Sequence, residues 1–316
     1  MANDHYVPQF YLRSFTPSGS PGRIYIYRRN RRPSLVGIRS VASEEDYYTM
    51  KSNITGVQKD QVDQLFRNLE TGAAPIINHL LSAPNTRLAD NDRGILSMFI
   101  AFLAFRTPRA RANLMRMESE ARVQILRILA GHKEFFQQEA KRAGIDPEEA
   151  EAARQAVFEL GDDLRVEFYG GESEDYIMRT QLEMADHITD IISRKYRYLL
   201  ECTGGYFLTS DHPVVLAPPK NYPAHLGLGF EPATILLPLS PKRCLLLTNR
   251  PIAGVKLPGC LLLPFRRFMK NNGTVIKVDE ASVEAVNRLI ISQAHEAVFS
   301  HERLDAVEHA FNQTAG

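Results

Sequence analysis

Residues 234–248 read Thr-Ile-Leu-Leu-Pro-Leu-Ser-Pro-Lys-Arg-Cys-Leu-Leu-Leu-Thr. Two short apolar runs, 235–239 and 244–248, flank a polar break. Runs this short, bounded by Pro and turn residues, read as strands buried in a sheet. The same pattern recurs at Tyr206–Thr209, Pro213–Leu216, Cys260–Pro264 and Thr274–Val278. Together they predict a mainly antiparallel sheet in the last third of the chain.

Near the start, Arg23-Ile24-Tyr25-Ile26-Tyr27 alternates like a strand, and a second β-like run covers 35–41. Arg28-Arg29-Asn30-Arg31-Arg32-Pro33 between them predicts a hairpin with a basic tip. The middle has the three-and-four spacing of amphipathic helices. One helix is predicted over 57–81. A second starts at Asp90 or Asn91 and runs to about 130, with a break at Arg106–Thr107 forced by Pro108. Gly144-Ile145-Asp146-Pro147 ends one helix and starts another. Further helices are predicted over 175–200 and, capped by Asp279, over 280–299. The order β, α, β, α predicts an α+β fold rather than a doubly wound sheet. The N-terminal hairpin is expected to join the C-terminal sheet, with a large helical block inserted between them. We read 1–316 as a single domain. Its parts are an N-terminal β segment (1–56), the helical block (57–203), a second β segment (204–278), and a C-terminal helix and tail (279–316).

Composition limits the function classes. The chain has 316 residues, 44% hydrophobic and 24% charged, values of a globular protein and not of a disordered or collagenous one. Lys+Arg is 38 and Asp+Glu 37, so no whole-protein field attracts nucleic acid. The three cysteines, Cys202, Cys244 and Cys260, are odd in number and show no Cys-x-x-Cys spacing. They predict reduced thiols and a cytoplasmic location. The first residues carry no basic and apolar leader pattern. The longest near-apolar run, 95–105, is 11 residues, too short to span a bilayer. Dinucleotide, P-loop and Gly-x-Ser-x-Gly motifs are absent. His295-Glu296 has Phe299 where a zinc helix needs its second His. His301, Asp305 and His309, four apart, fit a solvated helix better than a metal site.

Two motifs remain. The first is His5-Tyr6-Val7-Pro8-Gln9-Phe10-Tyr11-Leu12-Arg13-Ser14-Phe15. Chain starts are usually frayed, yet this one is aromatic and fixed by Pro, so it is expected to pack down. Imidazole suits proton transfer or metal ligation near neutral pH; the plain alternative is a His that anchors the N-terminus by a backbone bond. The second is Thr209-Ser210-Asp211-His212-Pro213, at a strand end. Asp211 there is either a base or ligand held on a rigid edge, or the acceptor of local backbone N–H groups.

The sequence resembles the bacterial domain-of-unknown-function 4238 family. Its N-terminal His-x-x-Pro-x-x-Tyr-Leu-x-x-Phe pattern is matched by His5, Pro8, Tyr11, Leu12 and Phe15. Similar features are Glu45-Asp46-Tyr47-Tyr48-Thr49, Glu70, Arg106-Thr107-Pro108, Thr209-Ser210-Asp211 with Pro213, Pro238-Leu239-Ser240-Pro241, and Asn287. His212 stands where the family pattern has Asn. The resemblance implies one contiguous domain and a shortlist of positions: His5, Gln9, Tyr11, Glu45, Glu70, Arg106, Asp211 and Asn287.

Two functions compete. The first is a hydrolase acting on a phosphate-containing or nucleic-acid substrate. His5 would be its general base, Asp211 and Glu70 would bind a divalent cation or activate water, and Arg106 would stabilise negative charge. Gln9, Tyr11, Glu45 and Asn287 would contact substrate in the same cleft. The second is a non-catalytic module that binds nucleic acid or protein, for instance in bacterial defence, through Arg28, Arg29, Arg31 and Arg32. A Glu70–Arg106 ion pair that merely ties helices together is the structural alternative for those two residues.

Overall fold

The computed structural model describes residues 3–48, 61–167, 171–217, 227–228, 233–249 and 275–313. The expected strand at 260–264, Cys260 and Thr49 lie outside these. After β1 (Asn3–His5) and α1 (Gln9–Leu12) come the hairpin strands β2 (Arg23–Arg28) and β3 (Ser34–Gly37), then β4 (Ser43–Glu45). The helical block comprises α2 (Gln61–Ser82), α3 (Asp90–Phe105), α4 (Pro108–Gly131), α5 (Lys133–Arg142), α6 (Pro147–Glu159) and α7 (Gly171–Ser193). Strands β5 (Tyr196–Cys202), β6 (Thr209–Ser210), β7 (Val215–Ala217), β8 (Thr234–Ser240), β9 (Arg243–Thr248) and β10 (Val275–Val278) follow. The chain then forms α8 (Glu280–Gln293), β11 (Ala297–Ser300) and α9 (Asp305–Gln313).

The fold is α+β, and the N-terminal hairpin does join C-terminal strands. One sheet has the order β3-β2-β11-β6, all antiparallel. A second runs β10-β5-β9-β8-β7, antiparallel except for the β10–β5 pair. The two sheets share a pair of hydrophobic cores, one on each face. Along β9, Cys244 and Leu246 enter one core while Leu245 and Leu247 enter the other. In β8, Leu236 opposes Ile235 and Leu237 in the same way. A strand covered on both faces needs apolar residues at every position, which is why these runs do not alternate with polar ones. The first core is closed by α2, α3 and α7, the second by α8 and α9.

Local signals place most boundaries. Thr107 caps α4, its hydroxyl accepting the Ala110 N–H, with Pro108 in the first turn. Gly144 takes φ +77° and Asp146 caps α6 on the Glu148 N–H at 2.8 Å. Asp279 caps α8 on Ser282 N at 3.0 Å. Two helix ends differ from expectation, and the strand expected over 35–41 stops at Gly37, where a 3-10 turn, Ile38–Ser40, follows. The helix predicted over 175–200 ends at Ser193, and Tyr196–Cys202 is a central strand. The helix predicted over 280–299 ends at Gln293, and Ala297–Ser300 pairs with β2 and β6. Both helix errors fuse a helix with a short apolar strand directly behind it, where periodicity cannot separate the two. At the start of α3, the capping position is Ala89, and Asp90 is the first helical residue.

Candidate functional site

Backbone pairing, not the imidazole, ties down the chain's start. β1 lies antiparallel to β4, with His5 opposite Ser43 and Asn3 opposite Glu45. The Asp4 carboxylate accepts the Tyr48 N–H at 3.1 Å, and the Tyr48 hydroxyl donates to the His5 carbonyl at 3.0 Å. Burial raises the Asp4 carboxyl above its ordinary value, against the pull of the Tyr48 N–H. Pro8 then turns the chain into α1. His5 is thus positioned from both sides by main chain, and its Nε2 is buried with no hydrogen-bond partner among the described residues.

Opposite this segment, α2 presents Asp63, Arg67 and Glu70 on one face, spaced by four and three. Between them is a cavity of about 280 Å³, lined by both segments. Its polar walls include Asp4, His5, Gln9, Arg13, Asp63, Arg67 and Glu70, and its apolar walls Phe10, Tyr48 and Phe66. Arg67 and Asp63 form an exposed ion pair at 2.5 Å. Arg106 lies behind the wall. Its Nη1 donates to Glu70 Oε1 at 2.8 Å, and its guanidinium is 5.1 Å from the Phe66 ring centre. The Arg106 side chain is 3% exposed and that of Glu70 28%, so the pair joins the interior to the cavity.

His5, Gln9 and Glu70 therefore meet at one cavity, with Arg106 bonded to Glu70. Asp211, expected beside them, does not line it. The Asp211 carboxylate accepts three backbone N–H groups, from His295 at 2.8 Å, Glu296 at 2.6 Å and Ala297 at 2.8 Å. Desolvation raises its pKa while those donors lower it, with a net upward direction. Its neighbour His212 is bonded through Nδ1 to Thr107 Oγ1 at 2.7 Å. Burial, followed by the charges of Arg109 and His295, lowers the His212 pKa to about 3.

Tyr11 and Asn287, expected in the cleft, also make internal ties. The fully buried Tyr11 hydroxyl donates to the Pro238 carbonyl at 2.6 Å and lies 2.8 Å from Thr209 Oγ1. Asn287 spans the backbone before β6: its Nδ2 donates to Tyr206 O and its Oδ1 accepts Leu208 N–H, both at 2.9 Å. Glu45 is exposed on β4. On the hairpin, Arg29 donates to the His295 carbonyl at 2.8 Å and lies 4.5 Å from the Phe311 ring centre, which assigns it to packing. Arg31 and Arg32 are exposed and Arg28 half-buried. His301 packs edge-on against Tyr206 and His309 bonds Gln313. Among the described residues, no group of three or more His, Cys, Asp or Glu is placed to hold a metal ion.

The shortlist omits Asp4, Arg13, Asp63 and Arg67. Asp4 and Arg13 lie in or beside the N-terminal motif, and Asp63, Arg67 and Glu70 share a helical face, so spacing could have found them.

An α+β fold with a polar cavity beneath its N-terminal motif is the class this geometry defines. A family model described as Protein of unknown function (DUF4238) matches residues 3–303, and the chain belongs to that family. No curated protein and no solved structure matches it. Among the described residues no helix is long and apolar enough to cross a membrane.

Proposed function

We propose that the cavity between the N-terminal motif and α2 is a hydrolytic site for a phosphoester, including one in a nucleic acid. The observation that carries this reading is His5: the residue lines a cavity shared with Glu70, and its Nε2 is buried with no hydrogen-bond partner among the described residues. An imidazole at this cavity can take a proton from water as the water attacks phosphorus. The ester P–O bond then breaks, and the leaving oxygen takes up the proton that the imidazole took from water, directly or through solvent. Arg13 and Arg67 line the same cavity and supply positive charge for the phosphoryl oxygens. Arg106 orients Glu70 through their 2.8 Å bond. In this revised assignment Asp211 stabilises the fold and touches no substrate. Any divalent cation would enter the cavity bound to the substrate. The buried free thiols Cys202 and Cys244 support a reducing location, the bacterial cytoplasm in our reading.

The test is an assay of the full chain on an aryl phosphodiester, an aryl phosphomonoester and single- and double-stranded oligonucleotides, with and without Mg²⁺ or Mn²⁺. We expect turnover of at least one, reduced about 10²- to 10⁴-fold in His5→Gln, the usual scale of a lost general base. Absence of turnover on every substrate, or an unchanged rate in His5→Gln, contradicts the reading.

The second reading, a non-catalytic module for nucleic acid or protein, rests on the exposed Arg31 and Arg32 at the hairpin tip. It predicts oligonucleotide retention that weakens steeply with salt and is lost in an Arg31→Ala, Arg32→Ala double variant.

A further inference from the structure

Around the break between α3 and α4, five buried side-chain atoms have no hydrogen-bond partner among the described residues. They are Arg106 Nε and Nη2, Arg111 Nε, Tyr47 Oη and Gln181 Oε1. Arg106 decides what this cluster means. Its guanidinium stays charged at any physiological pH, so a buried edge of it calls for an acceptor. Glu70 meets Nη1 only, and Phe66 covers one flat face. Nε and Nη2 form the remaining edge, which projects two parallel N–H bonds and matches two oxygens of one anion. Tyr47 packs against a second cation, Arg111. Arg111 is 4.1 Å from its ring centre and donates to its carbonyl at 3.2 Å. Gln181, whose amide binds the Phe105 carbonyl, flanks the same break.

We propose that the Nε–Nη2 edge of Arg106 is a seat for a phosphoryl-type oxyanion, with the Tyr47 hydroxyl as an additional donor. Carboxylate and phosphoryl groups both fit a bidentate fork, but a phosphoryl group keeps a third oxygen for Tyr47. Glu70 and Phe66, which touch Arg106, also line the cavity. Arg106, which carries the seat, thus adjoins the cavity through these two residues. The seat's occupant is either free inorganic phosphate or the phosphoryl group of a molecule that enters through the cavity. The inference is independent of hydrolysis, because a binding protein would use the same seat.

Calorimetric titration and thermal melting of the full chain, washed free of other oxyanions in chloride buffer, test this. The probes are inorganic phosphate and glycerol 3-phosphate, against wild type, Arg106→Lys and Tyr47→Phe. Lys keeps the charge but loses the fork. We expect one-to-one binding, a melting midpoint that rises with phosphate concentration, and affinity reduced at least about tenfold in Arg106→Lys and several-fold in Tyr47→Phe. Binding of inorganic phosphate alone supports an enclosed seat; binding of both probes supports one reached through the cavity. No binding to wild type overturns the proposal, as does equal affinity in the variants. Should Arg106→Lys fail to fold, Tyr47→Phe decides: unchanged affinity there overturns it. Phosphate binding without turnover would remove the hydrolytic reading and leave the seat.

Discussion

Both carboxylate oxygens of Asp211 accept main-chain N–H groups from the turn that joins α8 to β11 and from the first residue of β11. Replacing it with Asn keeps the shape but turns one acceptor into a donor facing donors. We expect Asp211→Asn to lose about 2 kcal/mol or more, read as a lower urea midpoint at unchanged slope. His212 gives a prediction of opposite character. Its folded pKa is lowered from 6.5 to about 3. Between those values the unfolded chain binds a proton that the folded chain does not, so stability falls as pH drops. The loss between pH 6.5 and 5 is at most about 2 kcal/mol. In His212→Asn the midpoint should change less over that range. An equal pH dependence in both proteins contradicts this. The sequence left two roles open for Asp211, a site carboxylate or the acceptor of nearby backbone N–H groups; the structure instead makes it the acceptor of backbone N–H groups 84 to 86 residues away. No local pattern announces such a partner.

At the scale of elements, α8 is fixed to the sheets by two amide side chains. Asn287 grips the backbone of Tyr206 and Leu208, and Gln293 grips both backbone groups of Leu216, at 2.9 and 2.7 Å. Each substitutes for a ladder bond that a neighbouring strand would make. We expect Asn287→Ala and Gln293→Ala each to cost about 1–3 kcal/mol, with near-additive effects in the double variant. Strong coupling would mean that the two grips are not independent. Element identity was legible wherever punctuation is local: Thr107-Pro108, Gly144 to Pro147, and Asp279. It was not legible at β5 and β11. Ala294 leaves α8 with extended backbone and the next three N–H groups bind Asp211, so the end of that helix is set by a distant carboxylate. Tyr196–Cys202 becomes a strand because β9 and β10 flank it, which a helical reading of its leucines does not anticipate.

Over the whole molecule, distant parts of the chain interleave. β2 from the N-terminal hairpin pairs with β11, and β11 with β6. Removal of residues 297–316 would expose edges of both neighbours and delete Phe299 and Phe311 from the two cores. We expect such a chain to show no cooperative melting transition; a normal transition would contradict the shared-sheet topology. The same interleaving brings the N-terminal motif against α2 and creates the cavity. The candidate site was partly legible: His5, Gln9, Glu70 and Arg106 come together, whereas Asp211, Tyr11 and Asn287 hold the frame around them. The comparison that separates these roles is the phosphoester hydrolysis rate per folded molecule in His5→Gln and Asp211→Asn, with melting midpoints for both. Our account predicts a rate at least about 100-fold lower and a nearly unchanged midpoint for His5→Gln. For Asp211→Asn it predicts a lower midpoint with the rate of the folded fraction retained. The reverse pattern would contradict it.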